Sequence, residues 1–197
     1  MTARQQWSVV GAIVLVLGSV LFAATRFLGD ELFPVTVGSA APEFEAVTLD
    51  GAPTNLAAYR GEWVLLNVWA TWCAPCRTEM PSIQRLHDRF AESGLRVVAV
   101  SVDAPGAGDA IRSFQEELGL TFDIVHDVAG TIQPAYQSYR VPETFLIDPE
   151  GTIRKKVIGD TDWYSTANQT LIAALIGDST DVPRTDASLG SPVPVQR

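Results

Sequence analysis

Glu62-Trp63-Val64-Leu65-Leu66-Asn67-Val68-Trp69-Ala70-Thr71-Trp72-Cys73-Ala74-Pro75-Cys76-Arg77 decides how the rest of the chain folds. Glu62 to Trp69 is a nearly continuous apolar run, as in a strand buried on both faces. The residues beyond it have a helical period, because from Ala74 to Ala91 the apolar residues Met80, Ile83, Leu86 and Phe90 recur at three- and four-residue intervals. Cys73 and Cys76 therefore stand where a buried strand gives way to an amphipathic helix. In a C-x-x-C at a helix start, the first sulfur lies beside N–H groups without intrahelical partners and at the positive end of the helix dipole, which favours its thiolate. Cys73 is the expected nucleophile. Cys76, within the first turn and more enclosed, can reach the Cys73 sulfur and resolve a mixed disulfide. Pro75 suits an early helical position, where its missing N–H would have no partner.

Elsewhere the pattern alternates between the same two periods. Leu95 to Val102 predicts a second central strand, and Ala110 to Leu118 a second amphipathic helix through Ile111, Phe114 and Leu118. Thr144 to Ile147 and Thr152 to Ile158 form a hairpin around Asp148-Pro149-Glu150-Gly151, where Pro pre-sets the turn and Gly permits positive φ. A closing helix runs from Trp163 to Ile176 with Gly177 as its C-cap. Upstream, Phe44 to Leu49 followed by Asp50-Gly51 predicts a short hairpin ahead of the first core strand. Helices alternating with strands and a late hairpin indicate a three-layer α/β domain with a mixed sheet.

The chain of 197 residues can bury one ordinary core. Its formal charge of −9, with −8 of it in 36–177, and the absence of any long basic run exclude a nucleic-acid partner. Two cysteines exclude a multi-disulfide scaffold. Zinc would need two further ligands, and His87 and His126, read as surface residues, have no ligand spacing. No metal and no cofactor beyond the cysteine pair is implied. A disulfide closing so small a ring would constrain little of the unfolded chain, so redox chemistry is the better reading of the pair. Between Arg4 and Arg26 no residue is charged, and these 21 residues, 5–25, are long enough to span a bilayer. Bulky Leu21 and Phe22 near the candidate cleavage sites favour an uncleaved anchor. The expected organisation is an anchor and linker over 1–35, one domain over 36–177, and a disordered tail over 178–197, rich in Pro, Ser and Asp.

Asn67 to Arg77, together with Val141-Pro142-Glu143-Thr144-Phe145-Leu146-Ile147-Asp148, resembles the thioredoxin-like proteins of the TlpA/ResA type, including those of cytochrome c maturation. The resemblance covers roughly 36–177. It implies a thioredoxin-like three-layer sandwich with an N-terminal β-hairpin extension, which the run 5–25 would precede as one transmembrane helix. It also implies that Pro142 is a cis-proline opposite the disulfide. Trp72, beside Cys73, is read as a docking residue, and Ala74, Pro75 and Val141 are the further candidates for client docking. Thioredoxins carry a buried Asp six residues before the first cysteine; Asn67 stands there in this chain. Glu79, three residues after Cys76, and Glu143, after the cis-proline, are then the candidates for moving the thiol proton. Arg77 is read as helix surface.

The expected activity is that of a membrane-anchored thiol-disulfide oxidoreductase outside the cytoplasm. Its clients are protein disulfides, foremost the haem-attachment cysteines of apocytochromes c, and its electron donor a membrane dithiol relay. A broader reductase, for example of copper-site proteins, is the alternative, because Tyr136 to Arg140 lacks the glycines of the dedicated cytochrome-maturation members. A thiol peroxidase fits less well, since two vicinal cysteines suit exchange, and so does a docking module with an incidental disulfide.

Overall fold

The computed structural model describes residues 3–27 and 35–179. The chain opens with α1, Ala3–Phe27. Among the described residues no helix is long and apolar enough to cross a membrane, so the predicted transmembrane span has no support from them.

The domain is built on β1 (Glu45–Thr48), β2 (Pro53–Asn55), β3 (Trp63–Trp69), α2 (Ala74–Phe90), β4 (Leu95–Ser101), α3 (Gly108–Leu118), β5 (Asp123–His126), α4 (Ile132–Tyr136), β6 (Glu143–Ile147), β7 (Ile153–Ile158) and α5 (Thr166–Ser179). Seven strands make one sheet in the order β2-β1-β5-β4-β3-β6-β7. β3 is flanked by β4 in parallel and β6 in antiparallel pairing, and all seven of its residues are buried, which is why its sequence shows no alternation. Alternation survives in what each residue touches. Trp63, Leu65 and Trp69 pack with Met80 and Ile83 of α2, Phe114 of α3 and Ile172 of α5. Val64, Leu66 and Val68 pack with Phe44, with Ile132 and Tyr136 of α4, and with Phe145. This is a thioredoxin-like α/β fold with a central mixed sheet, and its third layer is the segment before β1 together with the short α4.

The hairpins stand where predicted. β1 pairs antiparallel with β2 and then with β5, through Val47↔His126 and Thr48↔Val125, so the N-terminal hairpin extends the sheet edge. In the β6–β7 turn, Gly151 has φ +87°, and a Cβ there would collide with the Arg60 guanidinium. Arg60 bonds Glu150 O at 2.9 Å and Glu43 Oε1 at 2.8 Å, tying the turn to the segment before β1.

Two elements, β5 and α4, have no counterpart in the sequence prediction. At four and five residues they are shorter than any window over which a period can be counted. The closing helix begins three residues later than expected and continues through Gly177 to Ser179, so Gly177 is helical and not a cap. Trp163 instead drops into the core, its N–H donating to Ser82 Oγ at 3.0 Å. Helical residues 178 and 179 correct the start of the expected tail; its remainder, 180–197, and linker residues 28–34 lie outside the described residues.

Candidate active site

Beyond Trp69 the chain turns through Ala70–Cys73, closed by the Cys73 N–H on Ala70 O at 3.2 Å, and α2 begins at Ala74. Cys73 is the N-cap of α2. Its backbone is extended, and its Sγ accepts from the Cys76 N–H at 3.1 Å, the place an anion takes at a helix N-terminus. The two sulfurs form a disulfide. Cys76 is fully buried whereas Cys73 keeps 5% of its surface, so Cys73 is the sulfur a client can reach. Pro75 lies in the first helical turn, as its lack of an N–H allows.

Ala74 and Pro75 are exposed, and Trp72 is 70% exposed beside the reachable sulfur. Trp69, by contrast, is buried against Phe114 with ring centroids 4.5 Å apart. Half-buried Val141 precedes Pro142 across a cis peptide bond, and Pro142 is buried. The register pairs Glu143 with Val68 and Thr144 with Asn67, so Pro142 lies beside the end of β3 that leads to Cys73.

Behind the disulfide lies a buried polar cluster. Asn67 Nδ2 donates to Glu79 Oε1 at 2.7 Å and to Thr144 Oγ1 at 2.8 Å, while the Thr161 N–H approaches Glu79 Oε2 at 3.4 Å. Glu79 is 2% exposed. Burial raises its pKa from the ordinary 4.5 to about 7, outweighing the hydrogen bonds from Asn67 and Thr161, which pull it down. A carboxyl poised near neutrality one helical turn after Cys76 can give or take a proton at working pH.

Glu143 is also buried but is not part of that cluster. Strand alternation puts Thr144 and Leu146 on the face of Asn67, and Glu143 and Phe145 on the face of Val68. There its Oε1 forms an ion pair with Lys156 Nζ at 3.0 Å, and the same ammonium lies 5.2 Å from the Phe145 ring centroid. Arg77 is engaged at the surface, 2.7 Å from Glu117 Oε1 and stacked over Phe114.

The histidines need correction. His126 is 5% exposed, because β1 pairs over it, and its Nε2 lies 2.8 Å from Asp103 O. His87 is half-buried, edge-on to Phe122. A third group has no trace in the sequence analysis: Asp103, just past β4, gathers Ser101 and Thr71 around its carboxylate. Its position at the carboxyl end of a parallel strand next to β3 is the signal that could have found it. A cavity of about 450 Å³ opens beside the β1–β2 hairpin, lined by Glu45, Val47, Thr54, His126 and Val128. No cysteine lines it.

Comparison with known proteins agrees with this chemistry. The model of the AhpC/TSA family matches residues 37–156. The thiol-disulfide oxidoreductase ResA of Geobacillus thermodenitrificans is 37% identical over 158 residues, spanning 79% of this chain and 90% of that protein. Among solved structures, a thiol:disulfide interchange protein DsbE from Chlorobium tepidum superposes with a TM-score of 0.65 at 30% identity, covering 72% of this chain and 99% of the other. A secreted Mycobacterium tuberculosis disulfide oxidoreductase gives 0.55 at 25% identity, over 68% and 95%.

Proposed function

The chain belongs to the AhpC/TSA family and is a thiol-disulfide oxidoreductase, and from that premise we propose that it reduces client disulfides outside the cytoplasm, tethered to the membrane by α1. Haem-attachment cysteines of apocytochromes c are the proposed clients. The observation that carries the reading is the asymmetry of the cysteine pair. Cys73 Sγ meets the Cys76 N–H at the helix N-terminus and retains a reachable surface, while Cys76 is sealed behind it.

The reduced enzyme acts in two displacements. Cys73 thiolate attacks one client sulfur, forming a mixed disulfide and expelling the other client sulfur as a thiolate. Cys76, having lost its proton, then attacks Cys73 Sγ, the mixed disulfide breaks, and the client leaves with two more electrons than it brought. Glu79 is the proposed acceptor for the resolving proton, being buried and titrating near 7. Glu143 is proposed to act beside Pro142 in client docking, with its charge balanced by Lys156. Trp72, Ala74, Pro75 and Val141 supply the apolar rim of the docking surface. The oxidised pair is returned to thiols by a dithiol donor, proposed to be a membrane relay.

Support for the client comes from Pro142-Glu143-Thr144-Phe145, which resembles the cytochrome-maturation members. The broader-reductase reading draws on Tyr136 to Arg140, where Tyr139 is 83% exposed and no glycine occurs. Anchoring is supported by the 21 uncharged residues and by the exposed apolar side chains of α1, among them Leu15, Leu17 and Leu21, which have no place on a free helix in water. The location draws further support from the relative described as secreted.

A Cys76→Ala variant of the full chain, expressed in cells that make c-type cytochromes, tests the proposal. Apocytochromes should be trapped on Cys73 as mixed disulfides, and a C-terminal export reporter should be active. Trapping only of other exported proteins would give the client assignment to the broader reading. A reporter active only in the cytoplasm would overturn the location.

A further inference from the structure

Three donors converge on one buried carboxylate beside the active-site turn. Asp103 Oδ2 accepts from the Thr71 N–H at 2.9 Å and from the Ser101 hydroxyl at 2.7 Å, and Oδ1 accepts from the Thr71 hydroxyl at 2.6 Å. The backbone of Asp103 is fixed as well. Its N–H donates to Ser101 Oγ at 3.1 Å, and its carbonyl accepts from His126 Nε2 at 2.8 Å, so that nitrogen carries the imidazole proton. Ser101, Asp103 and His126 are each no more than 5% exposed. Just upstream of the turn, the Val102 N–H donates to Trp69 O at 2.9 Å and joins the ends of β3 and β4.

We infer that Asp103 is a positioning residue for disulfide exchange, acting through Thr71 on where the Cys73 sulfur stands relative to the Cys76 N–H. This rests on Cys73 being the nucleophile. Cys73 lies outside the helix, and its place is set by the turn Ala70–Cys73, whose own closing bond is a long 3.2 Å. Thr71 is the second residue of that turn. With its N–H and its hydroxyl held by the same carboxylate, it cannot swing, and the chain is aimed into Trp72 and Cys73 in one direction. The thiolate keeps its stabilisation only while Sγ remains in line with the helix N-terminal N–H. A misplacement of about 1 Å at a reacting group can cost on the order of 100-fold in rate.

Asp103 has a second effect of opposite sign, since a negative charge near the sulfur disfavours the thiolate. Two substitutions separate the two. Asp103→Asn removes the charge but can keep the clamp, with its amide oxygen accepting from the Thr71 N–H and the Ser101 hydroxyl, and its amide nitrogen donating to Thr71 Oγ1. Asp103→Ala removes both. Any difference between these variants is the clamp alone.

The full chain is reduced, freed of reductant and alkylated with iodoacetamide at one neutral pH, the adduct being mapped to its cysteine. Its equilibrium with dithiothreitol is followed in parallel by tryptophan fluorescence. Asp103→Ala should alkylate at Cys73 about tenfold more slowly than Asp103→Asn, and its equilibrium should shift toward the disulfide, because the thiolate has lost its stabilisation. Thr71→Val, which keeps the backbone bond and loses the hydroxyl bond, should fall between. Equal rates and equal equilibria for the Ala and Asn variants would overturn the proposal. Should Asp103→Ala fail to fold, an alkylation rate of Thr71→Val equal to that of the unaltered chain would overturn it instead. Adducts found on Cys76 in the unaltered chain would remove the nucleophile assignment itself, a separate failure.

Discussion

Glu79 ties exchange chemistry to stability through a single proton. Its carboxyl titrates near 4.5 when the chain is unfolded and near 7 when buried between Asn67 and Thr161. Between those values the native state holds a proton that the unfolded state has released, so this group's contribution is fully present below about 4.5 and is lost as pH rises through about 7. The loss is roughly 3 kcal/mol at about 1.4 kcal/mol per pKa unit. Urea unfolding of the reduced protein between pH 4.5 and 7.5 should therefore show a decline that Glu79→Gln abolishes, leaving the variant more stable at pH 7.5 and slower in disulfide reduction. A variant with the same slope as the unaltered chain would move the proton elsewhere. Tyr136 makes a simpler case. It is buried between Phe44 and Phe145, its hydroxyl has no partner among the described residues, and burial pushes its phenol pKa up. Tyr136→Phe should be neutral or stabilise by about 1 kcal/mol in thermal unfolding. Which of these residues a sequence reveals depends on spacing. Cys73, Cys76 and Glu79 sit on one helix start and are found by counting, whereas Asp103 and His126 meet the site only through the pairing of β4 and β5, which no local period encodes.

Helix α2 and strand β3 were legible because their burial is extreme. β3 is covered on both faces and shows no alternation, and α2 presents Met80, Ile83 and Leu86 to the sheet at regular intervals. Hairpin β6–β7 was legible from its turn chemistry, yet its anchoring was not, since Arg60 lies some ninety residues away in sequence from the carbonyl it holds. Gly151 is where the two meet: its positive φ suits glycine, and the guanidinium occupies the space a side chain would need. Gly151→Ala should therefore cost about 1–3 kcal/mol, more than backbone entropy alone would return, with the rate of disulfide reduction unchanged because the turn lies far along β6 from Pro142. Thermal unfolding paired with a reduction assay checks this, and a stability equal to that of the unaltered chain would show that Arg60 yields freely. β5 and α4 illustrate the opposite case, too short to announce themselves and held by neighbours, β5 by β1 and β4, α4 by the packing of its Tyr136 against Phe44 and Phe145.

At the scale of the whole molecule, an apolar helix, α1, precedes an acidic domain whose first described residue, Val35, is tied down. The Val35 N–H donates to Gln137 Oε1 at 3.2 Å, and its carbonyl accepts from Lys156 Nζ at 3.2 Å, the same ammonium that pairs with Glu143. The start of the domain at Val35 and the charge balance beside Pro142 thus share one residue, Lys156. A domain carrying a formal −8 has no net electrostatic attraction to an anionic lipid surface, so the tether proposed above is assigned to the apolar side chains of α1. A chain of residues 34–197, which keeps Val35 and its two bonds, should therefore leave the membrane fraction completely, at low and at high salt alike, and should reduce a model disulfide at the rate of the full chain. The full chain should stay with membranes through a high-salt wash and yield only to detergent, as expected of apolar insertion and not of charge. Retention of the shortened chain on membranes would place the tether in the domain, and a slowed reduction would show that the removed segment acts on the site through Lys156 as well as holding it in place.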